Sequence, residues 1–368
     1  MFDFEAMVST AKQNKASDIH ISSQNPVYLR IDGQLKPFGE SVPVEEINRL
    51  LAMFLNSAQL DKFQRSHQID FLYQTGTGDR LRGNAFKTQL GPAMCLRRVE
   101  PIIKPYSELG FPEFMQKKLL TIKHGLVLIV GPTGQGKSTT LASILKERAT
   151  KLSEHIVTLE DPIEFIIPSE VGLTQQREIG RDVETYEAGI RGAMREDPNI
   201  IMVGELRDPD TMASSLVLAE TGHLVFATLH TNSAQHTISR VLDSMPADQV
   251  PQVRSQLAQN LKMVVSQRLL PAKEGNGRVL AYEIMNMNIG IANHIREDKI
   301  HQIYNAIQTD QSGEMIQFEQ SLASLVLNNY ISLETAANYA MDKNQLKAIL
   351  EFNNYDFTAE QATAPPAG

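Results

Sequence analysis

The chain has 368 residues, 42% of them apolar and 21% charged, which is ordinary for a soluble globular protein with room for two or three domains. A formal net charge of −8 disfavours a nucleic-acid binder, and the single Cys95 excludes an internal disulfide or a zinc site built on several cysteines. No apolar run approaches bilayer-crossing length and the first ten residues lack the features of a signal peptide, so cytoplasmic residence is expected.

In chain order, residues 1–100 read as a small α+β domain. Residues 18–22 and 27–31 alternate like strands, and Asp32-Gly33 supplies a two-residue hairpin turn into residues 34–38. Residues 43–66 read as one helix, with Ile47, Leu50, Leu51, Phe54 and Leu55 on a single face. Residues 69–74, 80–87 and 93–99 read as three further strands with glycine-containing turns. They carry Arg80, Arg82, Arg97 and Arg98, which taken singly read as solvent-facing strand positions. Pro101 and Pro105 then mark a linker at residues 101–105, because proline interrupts both helix and strand and stiffens the connection.

Residues 106–285 read as an α/β domain. Apolar strands at 126–130, 155–159, 200–203 and 224–229 alternate with helical segments, the pattern of a buried and mostly parallel sheet. A helix after Asp208 is well marked: Asp208 suits the N-cap, Pro209 the first helical position and Gly222 the stop. Residues 247–270 read as one long helix with Val250, Val253, Leu257, Leu261, Val264 and Leu269 as its apolar stripe. Residues 286–355 read as short helices, and residues 356–368 as a disordered tail.

The chemistry concentrates after the strand at 126–130. Gly131-Pro132-Thr133-Gly134-Gln135-Gly136-Lys137-Ser138 fits the phosphate-binding pattern G-x-x-x-x-G-K-[ST], and Thr139 continues it into a helix. The glycines let backbone N–H groups turn toward phosphate oxygens, and the helix N-terminus adds its own N–H groups and dipole. Lys137 is placed to reach the β/γ-phosphates of ATP and the Ser138 hydroxyl to ligate Mg²⁺. Hydrolysis also needs an acid near the metal and a group to orient water. Glu205 ends the apolar strand NIIMVGE, a Walker B arrangement, and is the expected second Mg²⁺ contact. Glu160, Asp161 and Glu164 follow another strand, at the end where open α/β sheets present their ligand crevice. His223 and His230 bracket the strand at 224–229. Their odd spacing turns them to opposite sides of a continuous strand, which argues against a shared metal; one of them is a candidate sensor of the γ-phosphate, with a satisfied core histidine as the alternative.

Four stretches in this order, GPTGQGKSTT, TLEDPIEF, IIMVGELRD and TGHLVFATLHTNSA, resemble the Walker A, Asp, Walker B and His boxes of the secretion-ATPase superfamily of type II secretion and type IV pili. Within it the chain is most similar to the PilT-type pilus-retraction ATPases. SDIHI, REDPN and DQSGEMIQFEQSL support the same likeness. The resemblance implies a RecA-like P-loop ATPase domain with a smaller PAS-like N-terminal domain, working as a homohexamer. It implies Glu164 as the catalytic glutamate that polarises water, Glu205 as the Walker B acid, and His223 and His230 as the His-box pair. Arginines of the N-terminal domain, with Arg82 and Arg97 as candidates, would complete the nucleotide site, and the linker would act as the hinge. The implied function is ATP-driven pilus retraction and twitching motility at the inner face of the cytoplasmic membrane. The implied partners are an inner-membrane platform protein and a paralogous pilus ATPase, with no nucleic acid. The alternatives are an accessory PilU-type retraction motor, which LRRVE resembles, an assembly or type II secretion ATPase, and a nucleic-acid translocase. The absence of a four-cysteine motif separates the chain from the assembly-type relatives. Gly290-Ile291-Ala292-Asn293-His294-Ile295-Arg296 departs from the AIRNLIR motif of retraction ATPases.

Overall fold

Alternation in the first hundred residues builds a six-stranded antiparallel sheet backed by helices. In the computed structural model, which describes residues 2–31, 33–99, 102–275 and 277–357, contacts divide the chain into two units. One is Met1–Ile102 with Pro162–Ile166, the other Ile103–Asp161 with Ile167–Gly368. Asp32 of the expected hairpin turn, Glu100 and Pro101 at the expected linker, and residues 358–368 of the expected tail lie outside the described residues.

The first unit opens with α1 (Phe4–Gln13), whose N-cap Asp3 accepts the Ala6 N–H. Then come β1 (Asp18–Ser22), β2 (Val27–Ile31), β3 (Gln34–Phe38), α2 (Val44–Phe54), α3 (Ser57–Ser66), β4 (Gln68–Gln74), β5 (Arg80–Thr88) and β6 (Gly91–Val99). The helix expected across 43–66 is two helices. Leu55 is extended, and Asn56 starts α3 with a reciprocal capping box to Gln59, so a start signal sits inside the apolar period. The strands run β3-β2-β1-β6-β5-β4. One face of the sheet, carrying Ile19, Ile21, Leu29, Leu81, Met94 and Leu96, is buried in a core shared with α1, α2 and α3. The period of two puts Arg30, Asp18, Arg97 and Arg82 in one cross-strand row on the other face.

The second unit holds α4 (Glu113–Thr121), β7 (Gly125–Val130), α5 (Lys137–Lys151), β8 (His155–Glu160), β9 (Leu173–Glu178), α6 (Tyr186–Ala193), β10 (Ile200–Val203), α7 (Pro209–Glu220), β11 (Leu224–Leu229), α8 (Ala234–Asp243), α9 (Val250–Asn260), β12 (Leu261–Pro271) and β13 (Arg278–Asn286). The chain continues through α10 (Ile289–Arg296), α11 (Ile303–Gln308), α12 (Phe318–Leu327), α13 (Leu333–Tyr339) and α14 (Lys343–Phe352). Strand order is β13-β12-β7-β11-β10-β8-β9, with β12 through β9 parallel and β13 antiparallel at the edge. As the sequence indicated, the α/β class holds, with a parallel-rich sheet here and an antiparallel one in the first unit.

The long helix expected at 247–270 is a correction. It ends at Asn260, and the chain goes directly into β12, which pairs with β7 and returns as β13. A strand buried on both faces has no polar alternation, so Leu261 and Val264 extend the helical stripe by coincidence. The second half of the ribbon, β13, is absent from the sequence reading. Met285, Ile291, Ile295 and Ile303 join the main sheet core. Phe318, Leu322, Leu346 and Leu350 form a second cluster on Leu270 and Ala281 of the ribbon. Among the described residues no helix is long and apolar enough to cross a membrane.

The ribbon brings a carboxyl inside. Glu283 is 1% exposed, and burial pushes its acid group up to about 7; the Glu319 charge adds to that shift, and the Ala234 N–H opposes it. The folded chain therefore keeps a proton that the unfolded chain releases near the ordinary value of 4.5. Stability is expected to fall as pH rises between these values and to level off above the upper one. Thermal unfolding of the wild type against Glu283→Gln across pH 4 to 8, on the order of half-unit steps, checks the sign: the wild type should lose ground to the variant through that interval.

Candidate nucleotide site

The phosphate loop leaves β7, every residue of which is buried, and enters α5. Gly131, Gly134 and Gly136 all have positive φ, at 150°, 76° and 82°. Gly131 is also a point of close approach, since a Cβ there would lie 2.4 Å from the Gln267 carbonyl oxygen. No side chain caps α5 and no acidic residue lies in its first turn, so its leading N–H groups and dipole are available to an anion. Lys137 is 8% exposed, and its ammonium donates to the carbonyls of Gly131 at 2.7 Å and Pro132 at 3.0 Å. Ser138 follows, exposed, and Thr139 is half-buried.

The ribbon that the sequence reading missed braces this loop. The Gln267 side-chain amide donates to the Gln135 carbonyl at 2.7 Å, and the Leu269 N–H donates to the Gln135 side-chain oxygen at 2.6 Å. Arg278 donates to the Gly134 carbonyl at 3.2 Å. The only signal in the sequence was a glycine-containing turn between two apolar runs, at Gly275 and Gly277.

Parallel pairing of β10 with β11 sets their following loops side by side at the carboxyl end of the sheet, where ligands bind in open α/β folds. Glu205 comes from the first loop and His230 from the second. His230 Nε2 lies 3.2 Å from one Glu205 oxygen, and Nδ1 lies 3.2 Å from the Thr133 hydroxyl of the phosphate loop. Arg207 holds the other Glu205 oxygen at 2.8 Å. Thr228 near the end of β11 donates to the Gly204 carbonyl at 2.5 Å, tying the loop after β10 to that strand. Burial works against ionisation of Glu205. The Arg207 hydrogen bond and charge, then the charges of His230 and Lys137, outweigh it and hold the carboxyl below its ordinary value. Arg207, two residues after the acid, is a participant that residue type alone did not single out.

His223 does not join His230. It precedes β11 at the far end, about 20 Å away at strand rise, with Nδ1 near the Leu218 carbonyl and the Thr221 hydroxyl. The strand between them keeps the two histidines apart in this chain, as their odd spacing argues against a shared metal. Glu160 accepts from Thr158 at 2.6 Å and Gln176 at 2.9 Å. Glu164 belongs to the first unit, where Arg82 lies 3.4 Å from its carboxylate and Arg80 donates to the neighbouring Ile163 carbonyl at 3.2 Å. Arg82 and Arg97 face each other across β5 and β6. Arg97 pairs with Asp18 at 2.9 Å.

The family described as type II/IV secretion system protein has a model that matches residues 2–351. The chain belongs to that family. Among its relatives, the type IV pilus retractation ATPase PilT of Pseudomonas aeruginosa is 42% identical over 338 residues, covering 91% of this chain and 97% of that protein. The type IV pilus ATPase PilU of the same organism is 32% identical over 353 residues, covering 96% and 92%. A crystal structure of the pilus retraction motor PilT with bound ADP has a TM-score of 0.87 at 38% identity, covering 95% of this chain and all of that one. The likeness read from the four boxes therefore holds along both units, and family membership fits the RecA-like P-loop fold of the second.

Proposed function

We propose that this protein is an ATP-hydrolysing motor that powers type IV pilus retraction, and with it pilus disassembly and twitching motility. The observation that carries the reading is the linked set Thr133–His230–Glu205–Arg207 beside a buried Lys137, on a frame similar to a retraction motor along nearly its whole length. The loop from Gly131 to Thr139 takes the phosphates of ATP. Lys137 leaves its carbonyl partners to neutralise the β/γ-phosphates, and His230 reports the γ-phosphate to Glu205. Glu164 polarises the attacking water, and Arg82 and Arg97 serve as the arginines that complete a nucleotide site in a homohexameric ring.

Mg²⁺ fits the donors present. Among the described residues no group of three or more His, Cys, Asp or Glu could hold a metal. Mg²⁺ commonly takes one or two protein oxygens and fills the rest of its shell with phosphate and water. The exposed Ser138 hydroxyl and the ionised Glu205 would supply those oxygens, and the bound ion would offset phosphate charge. The same reading places the protein in the cytoplasm, peripheral to the inner face of the membrane. There it works with an inner-membrane platform protein and, where one is present, a paralogous pilus ATPase.

Deletion of the gene, complemented with wild type or Glu164→Gln, tests the whole reading. Deletion should leave excess surface pili and no twitching, and only the wild type should restore movement. Purified Glu164→Gln should bind ATP normally and turn it over at least about 10²-fold more slowly. Bald cells on deletion would instead point to assembly.

A further inference from the structure

We infer that Glu283 is a positioning residue for His230: from β13 it fixes the start of α8, and so the loop that presents the imidazole to Glu205 and Thr133. This rests on the reading of His230 as part of the hydrolytic site. His230 is 40% exposed in its side chain and meets its two partners at 3.2 Å each, the long end of the hydrogen-bond range. Its place depends on the backbone that carries it. Four residues on, Ala234 begins α8, and its N–H donates to the Glu283 carboxyl at 2.6 Å in a buried setting.

The intervening residues are tied to the same helix. The Thr231 hydroxyl lies 2.7 Å from that of Thr237, which also donates to the Ser233 carbonyl at 2.7 Å. Ser233 caps α8 by accepting the His236 N–H. The first turn of α8 has no acidic residue of its own, so Glu283 supplies from another strand the acceptor that a helix start favours. Register adds a second connection. Glu283 pairs with Ser266, the residue before the Gln267 that clamps the phosphate loop. The His230 loop and the phosphate loop are thus both referenced to one pair of strands.

Loss of the acceptor leaves the Ala234 N–H buried and unpaired, and the loop gains freedom to move the imidazole away from Glu205. The test is a double-mutant cycle on the full-length protein, with kcat and KM for ATP measured for Glu283→Ala, Glu283→Met, Glu283→Gln, His230→Ala and the double variants. Glu283→Met keeps the buried volume without the acceptor should the alanine variant fold poorly. Glu283→Gln retains an acceptor oxygen. Glu283→Ala or Glu283→Met is expected to lower kcat about tenfold with KM for ATP near the wild-type value, and Glu283→Gln to stay within about twofold. In a His230→Ala background the same change should cost less than about twofold. An equal loss in both backgrounds would overturn the inference while leaving the hydrolytic reading of His230 intact. Full activity of His230→Ala alone would overturn that reading itself.

Discussion

Lys137→Ala is expected to lower the turnover of ATP by about 10³-fold or more while leaving the chain folded. The ammonium is buried and rests on the Gly131 and Pro132 carbonyls, so the loop holds its charge where phosphate oxygens would arrive. Nothing else in the loop is cationic, and Arg278 reaches only the Gly134 carbonyl. The variant also removes one of the charges that keep Glu205 ionised, though the larger Arg207 contribution remains. Folding should change little, because the contacts the ammonium makes with the Gly131 and Pro132 carbonyls lie within the loop itself. A coupled ATPase assay alongside circular dichroism decides the matter, and turnover at the original rate would remove Lys137 from the site.

Gly131→Ala should be the most damaging single methyl group in the loop. The added carbon would sit 2.4 Å from the Gln267 carbonyl oxygen, a backbone atom of β12 just past the end of its pairing with β7 and held by pairing with β13 at Tyr282. The backbone also has a φ of 150°, which side-chain-bearing residues rarely adopt. Together these should cost about 3 kcal/mol or more and abolish nucleotide binding. Gly134→Ala is the control. A Cβ there meets nothing within 4 Å, so only the left-handed backbone is penalised, by about 1 kcal/mol. Thermal unfolding and ADP calorimetry on both variants should show that order, and a Gly131 variant melting with the wild type would contradict the close approach.

Legibility followed burial and chain distance. The strands β10 and β11 were readable to the residue, because buried parallel strands are short unbroken apolar runs bounded by turns. The phosphate loop and Glu205 were readable because their chemistry is local in sequence. The break at Leu55 was signalled by Asn56 and Gln59, but the apolar period runs through it and dominated the reading. The ribbon escaped for the opposite reason: Leu261 to Val265 offers no alternation, so helix and strand could not be separated by period. With β12 and β13 unread, Gln267, Arg278 and Glu283 could not be placed beside loops more than forty residues away in sequence. Glu164 was found by its box, yet its grouping with the first unit depends on contacts that no spacing rule encodes.

The ribbon's outer side is clothed by Phe318, Leu322, Leu346 and Leu350 of α12 and α14. The scaffolding of the proposed phosphate loop therefore does not stop at the last strand. A shortened version ending at Asn286 would strip a greasy coat from the very strands that steady Gln135.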